Sequence, residues 1–149
     1  MRKLLLLVFV SLSLSANAQL NGAPEFKFNH LAISVSNLQT SAEFYNRVLG
    51  LEEIANRGKV EGVRWFSFGD GRELHLISIV KKGVTTNKAV HLALTSSSFD
   101  SFVTKLQSLK IPYSDWPGNV NKVNVRADGI KQIFFQDPDG YWIEVNSEN

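Results

Sequence analysis

The stretch Asn29-His30-Leu31-Ala32-Ile33-Ser34-Val35 recurs later in the chain as Val90-His91-Leu92-Ala93-Leu94-Thr95. Both copies read His-Leu-Ala, then an aliphatic, then a hydroxyl residue. Alternation of apolar and small or polar residues marks each as a half-buried strand. A helical pattern follows each time. Asn37 is placed to cap the first helix, with Ala42, Tyr45, Val48 and Leu49 on one face and Gly50 as its stop. Ser97 or Ser98 can cap the second, whose apolar stripe is Phe99, Phe102, Val103, Leu106 and Leu109.

The ends of the two halves also match. The segment from Trp65 to Leu76 lies without gaps over the segment from Phe134 to Val145. Each reads as an aromatic strand, a turn ending in Asp-Gly, and an aliphatic strand. Between helix and hairpin each half has room for one more strand, near Glu52–Asn56 in the first and near Pro112–Trp116 or Lys122–Arg126 in the second. The chain is therefore read as an α+β fold of two βαβββ modules, about residues 26–82 and 87–147, with Lys81–Lys88 as linker.

Strand alternation then assigns faces. Leu31, Ile33 and Val35, and likewise Leu74 and Leu76, point toward the helix of the first module. Val90, Leu92 and Leu94, with Ile143 and Val145, do the same in the second. His30, His75, His91 and Glu144 point the other way, at equivalent places, and they include every histidine in the chain. If the two sheets join into a trough, these four converge on its floor. Three imidazoles and one carboxylate suit a divalent first-row ion, whether zinc, nickel, manganese, iron or cobalt. His75 is the member that could instead serve as a partner behind the ligands.

Composition excludes several alternatives. The chain has 149 residues, 16 basic and 14 acidic, and no cysteine. Disulfides, thiolate metal sites, cysteine nucleophiles and a lipoprotein anchor are excluded. Arg2 and Lys3, the apolar run Leu4 to Leu14, and Ala16-Asn17-Ala18 read as a secretory signal peptide cleaved after Ala18. Residues 19–149 then form one exported domain, periplasmic or extracellular. Without the leader's two charges the chain is formally neutral, so nothing electrostatic favours nucleic acid or an anionic membrane. No phosphate-cradling glycine loop or nucleophile elbow is present.

These motifs resemble the vicinal oxygen chelate superfamily, which includes glyoxalase I, extradiol dioxygenases, fosfomycin-resistance transferases and bleomycin-binding proteins. The resemblance rests on Asn29 to Val35, Phe44-Tyr45 through Leu51, Leu74-His75-Leu76-Ile77, His91-Leu92-Ala93 and Asp137 to Val145. It implies a cup-shaped eight-stranded mixed sheet with helices on the convex face, often completed by dimerisation into a homodimer, with one divalent ion per cup. His30, His91 and Glu144 match the ligand positions shared by the dioxygenases and the fosfomycin enzymes, and His75 stands where glyoxalase I has Glu. Positions where bacterial glyoxalase I carries glutathione-binding Arg and Asn hold Ser34 and Ile79. Positions where fosfomycin transferases carry Thr and Tyr hold Ala32 and Phe134. Neither specific activity carries over.

The expectation is a metal-dependent enzyme acting as Lewis acid on a small, anionic substrate with vicinal oxygens, of isomerase or lyase type, with Glu144 as catalytic base. The alternatives are a ferrous dioxygenase using His30, His91 and Glu144 as a facial triad, and a non-catalytic sequestration protein. Trp142 is expected to wall the pocket, and Arg64 and Arg126 to meet the anionic end of the substrate. Asp137 and Asp139 are expected to be structural.

Overall fold

The computed structural model describes residues 25–80 and 83–148. The leader and its cleavage point lie outside the described residues. Elements run β1 (His30–Ser34), α1 (Leu38–Leu49), β2 (Glu52–Ile54), β3 (Val63–Gly69), β4 (Arg72–Ile77), β5 (His91–Ser96), α2 (Phe99–Ser108), β6 (Tyr113–Ser114), β7 (Asn124–Val125), β8 (Lys131–Gln136) and β9 (Trp142–Ser147). Among the described residues no helix is long and apolar enough to cross a membrane.

Helix α1 begins where Asn37 Oδ1 accepts from the Thr40 backbone N–H at 3.0 Å. It ends at Gly50, whose φ of 72° is left-handed and lets its N–H close on Asn46 O. Helix α2 has no side-chain cap bond at Ser98 and ends at Leu109. Phe99, Val103 and Leu106 make its buried stripe.

The strands form two sheets. The first is ordered β1-β4-β3-β2 and the second β5-β9-β8-β6, with β7 also paired to β8. The described strands thus number nine, in place of the eight expected in one sheet. The excess arises because both candidate segments of the second module form short strands against β8, where one had been expected. The loop between them leaves the sheet after Ser114, bridges back to Ser114 at Val120, and enters β7 at Asn124. Otherwise the two modules repeat down to register. Trp65 stands opposite His75 and Phe66 opposite Leu74, as Phe134 stands opposite Glu144 and Phe135 opposite Ile143. In the parallel pairs Ala32 lies beside His75, and Ala93 beside Glu144.

The helix-facing side of the strands is the core. Leu74 and Leu76 are fully buried, and Ile143 and Val145 nearly so. Each such side chain contributes about 1.5–3 kcal/mol relative to exposure. Residues from both modules belong to one apolar cluster.

Polar contacts from the β8–β9 turn reach across the modules. Tyr45 Oη donates to Asp137 Oδ2 at 2.9 Å, and Ser41 Oγ to Asp139 Oδ2 at 2.9 Å. The Ser36 N–H and hydroxyl both reach Asp139 Oδ1. Asp139 therefore places a negative charge at the N-terminus of α1, where the helix dipole favours it. Burial pushes the Asp137 carboxyl above the usual carboxylate range, and burial together with Asp137 raises the Tyr45 hydroxyl. Both aspartates are structural, in agreement with the expectation.

Candidate functional site

In the first module His30, His75 and Trp65 form a column of rings. His30 stacks on His75 with centroids 4.3 Å apart and planes within 13°. Trp65 stacks on the other face of His75 at 4.2 Å and 7°. Arg57 lies over Trp65 at 4.9 Å. The column follows from register. Trp65 is the cross-strand partner of His75, while His30 reaches the same face from the parallel strand β1. Glu73, two residues before His75 on the same face, contacts His75 Nε2 at 2.8 Å through Oε2 and accepts from Arg57 through Oε1. The His75 hydrogen bond, then that of Arg57, holds the Glu73 carboxyl below the usual range.

In the second module His91 Nε2 lies 2.9 Å from Glu144 Oε2, with the two side chains 24% and 9% exposed. His91 Nδ1 lies 2.8 Å from the carbonyl oxygen of Lys88. Glu144 Oε1 accepts from Gln132 Nε2 at 2.8 Å and from Asn146 Nδ2 at 2.6 Å. Gln132 Oε1 in turn accepts from Asn124 at 3.2 Å. Phe134 packs its ring edge-on to His91. A cavity of about 240 Å³ lies alongside, lined by Lys88, Tyr113, Ser114, Phe134 and Trp142 among others.

Both ring nitrogens of His91 therefore face oxygens that can only accept. A carbonyl has no proton to give, so Nδ1 must be the donor there. A neutral ring then turns the Nε2 lone pair toward an anionic carboxylate oxygen. That contact is repulsive unless a proton or a metal ion mediates it. Because two amides already occupy Oε1, Oε2 is the atom Glu144 has left for the purpose. The separation of 2.9 Å suits two neighbouring ligands of one first-row ion, whose bonds run about 2.0–2.2 Å. The carbonyl behind Nδ1 and the amides behind Oε1 are the kind of outer partners that orient metal ligands.

The first-module pair fits less directly. Nearly parallel rings send their in-plane lone pairs along parallel planes, so His30 and His75 cannot both address one ion as they stand. Nε2 of His75 is engaged by Glu73, and its ring lies stacked against that of His30. Among the described residues no three His, Cys, Asp or Glu side chains gather in a metal-binding group. The expected ligands instead come together as two pairs, His30 with His75 and His91 with Glu144, on different sheets.

Trp142 is half-buried beside His91 in register and lines the cavity. Arg64 and Arg126 lie elsewhere. Arg64 bonds Glu53 and Gln39, the latter on α1, which puts it on the helix side of β3. Strand alternation already requires this, since Trp65 faces His75. Arg126 pairs with Asp128 in an exposed turn. The cations near the two pairs are Arg57 and Lys88. Glu73, Gln132 and Asn146 were readable by parity, each sharing a face with His75 or Glu144. Lys88, in the linker, carried no periodic signal.

Comparisons with known proteins identify the family. Residues 27–145 match the Glyoxalase/Bleomycin resistance protein/Dioxygenase superfamily. The chain is 28% identical over 125 residues to Glyoxylase I 4 of Arabidopsis thaliana, covering 78% of this chain and 68% of that one. It is 31% identical over 122 residues to Metallothiol transferase FosB of Shouchella clausii, covering 80% and 78%. A crystal structure of a glyoxalase/dioxygenase from Nostoc punctiforme superposes with a TM-score of 0.66 at 25% identity, covering 95% of this chain and 99% of that one. The repeated modules and these matches together place the chain in the Glyoxalase/Bleomycin resistance protein/Dioxygenase superfamily.

Proposed function

We propose that this protein is an exported, divalent-metal-dependent glyoxalase-like enzyme acting on a small substrate with vicinal oxygens. The observation that carries the reading is His91, held between two acceptor oxygens with Nε2 2.9 Å from Glu144 Oε2. His91, Glu144 and His30 are the ligands in this reading, and His75 supports His30 through the ring stack. A divalent ion bound there would supply Lewis-acid polarisation of the substrate oxygens. Glu144 has Oε2 alone for ligation or for taking a proton, because Gln132 and Asn146 occupy Oε1. Phe134 and Trp142 line the adjacent cavity.

The two pairs lie on separate sheets of one chain, and the reading brings them together by pairing two chains, His30 of one meeting His91 and Glu144 of the other. Metal analysis of protein purified without chelators tests the site. The expected result is one zinc, nickel, manganese, iron or cobalt ion per chain, lost in His91→Ala and in Glu144→Gln. Wild-type protein that takes up none of these ions on titration overturns the proposal.

Withdrawal of His75 into the Glu73 contact favours one second reading. It leaves two histidines and one carboxylate, the ligand set of ferrous oxygenases. Turnover that requires air selects that reading, and turnover under nitrogen selects the isomerase or lyase.

A further inference from the structure

Lys88 lies in the segment between the modules, three residues before His91, yet its side chain turns inward. All three donors of its ammonium are used. Nζ lies 3.1 Å from Ser114 Oγ, 2.9 Å from the Asp115 carbonyl and 3.2 Å from the Trp116 carbonyl. The same charge lies 4.7 Å from the centre of the Trp142 ring and 5.3 Å from that of Phe134. An ammonium with three oxygen acceptors and two aromatic faces is fixed in place. Its own carbonyl meets His91 Nδ1 at 2.8 Å. The backbone between them is tied as well, with the Val90 N–H on Asn87 O at 2.9 Å and the Ala89 N–H on Asn87 Oδ1 at 3.0 Å.

We propose that Lys88 is the positioning residue for His91: its anchored ammonium immobilises the carbonyl that holds Nδ1–H, and so aims Nε2 at Glu144. As an account of ion binding the assignment rests on the function proposed above, but its structural half stands without an ion. A lysine serving only solubility would extend into solvent. This one instead links the strand bearing His91 to the loop after β6 and to the aromatic wall of the cavity.

The experiment compares wild type with Lys88→Met, which keeps the aliphatic stem and removes the donors, and with Ser114→Ala, which removes one acceptor. In metal-free protein labelled with ¹⁵N-histidine, the His91 Nδ1 proton is expected to exchange slowly with water in wild type. It should be lost to fast exchange in Lys88→Met and be weakened in Ser114→Ala. Zinc titration is expected to show about a 10–100-fold weaker affinity in Lys88→Met, the usual effect of removing a partner behind a metal ligand, and a smaller loss in Ser114→Ala. Circular dichroism checks that each variant is folded, and Ser114→Ala carries the test if Lys88→Met is not. A slow Nδ1 proton retained in a folded Lys88→Met, or absent from wild type, overturns the assignment. So does equal zinc affinity in wild type and folded Lys88→Met. If wild type binds none of zinc, nickel, manganese, iron or cobalt, the metal reading falls, and the exchange of the Nδ1 proton decides the role of Lys88 by itself.

Discussion

His75 and Glu144 occupy equivalent places in the two modules, yet their surroundings make them different groups. His75 is closed between His30 and Trp65 and occupied by Glu73. Glu144 meets His91 across a short gap and is clamped from behind by two amides. The repeat thus conserves a position and a direction while its chemistry diverges. Arg64 shows the same dependence on neighbours. Its hydrogen bonds hold the Glu53 carboxyl below its ordinary range. A carboxylate with a depressed native pKa stabilises the fold above its unfolded value, near 4.3, and the contribution is lost as pH falls through the lower native value. The pair is partly exposed, so the effect is under about 1 kcal/mol. Glu53→Gln is therefore expected to be slightly less stable than wild type at pH 7. The difference should shrink to nothing as pH drops below about 4, measured by urea unfolding across that range.

The two hairpins are the elements in which the repeat is closest, and their turns are where it breaks. In the second, Asp137 and Asp139 dock on α1 through Tyr45 and Ser41 and on the loop before it through Ser36. Gly140 follows with φ of 87°, which lets the turn close back on Asp137. In the first, the equivalent Asp70 is exposed and, among the described residues, pairs with Arg72. The same local chemistry thus makes a surface turn in one module and a strut between modules in the other. Tyr45→Phe tests the strut. It removes one bond to a buried carboxylate and leaves Asp137 its two backbone donors, from Asp139 and Tyr141. A loss of about 1.5–3 kcal/mol in unfolding free energy is expected. An unchanged urea midpoint would show that the bond contributes nothing net.

At the scale of the whole molecule, the proposed function gives each chain two half-sites. If pairing of chains completes them, His30→Ala and Glu144→Ala should each bind no ion alone. A mixture of the two, dissociated and reassembled, should recover a fraction of sites, because some pairs then contain one intact combination. Metal content of the reassembled mixture measures it, and no recovery would mean that pairing across chains does not build the site.

Much of this was legible before any coordinate. Two βαβββ modules, the caps at Asn37 and Gly50, the ungapped hairpins and the shared direction of His30, His75, His91 and Glu144 follow from periodicity and turn chemistry. Those properties are local, because a strand's side chains alternate whatever lies beside it. Parity alone would also have moved Arg64 to the helix side. Tertiary structure decided the rest: the stacking of His75 on Trp65, the amides that saturate Glu144 Oε1, the inward turn of Lys88 and the division of the expected ligands into two pairs. Each of these depends on which distant strand or loop brings a partner within about 3 Å, and no spacing along the chain encodes that distance.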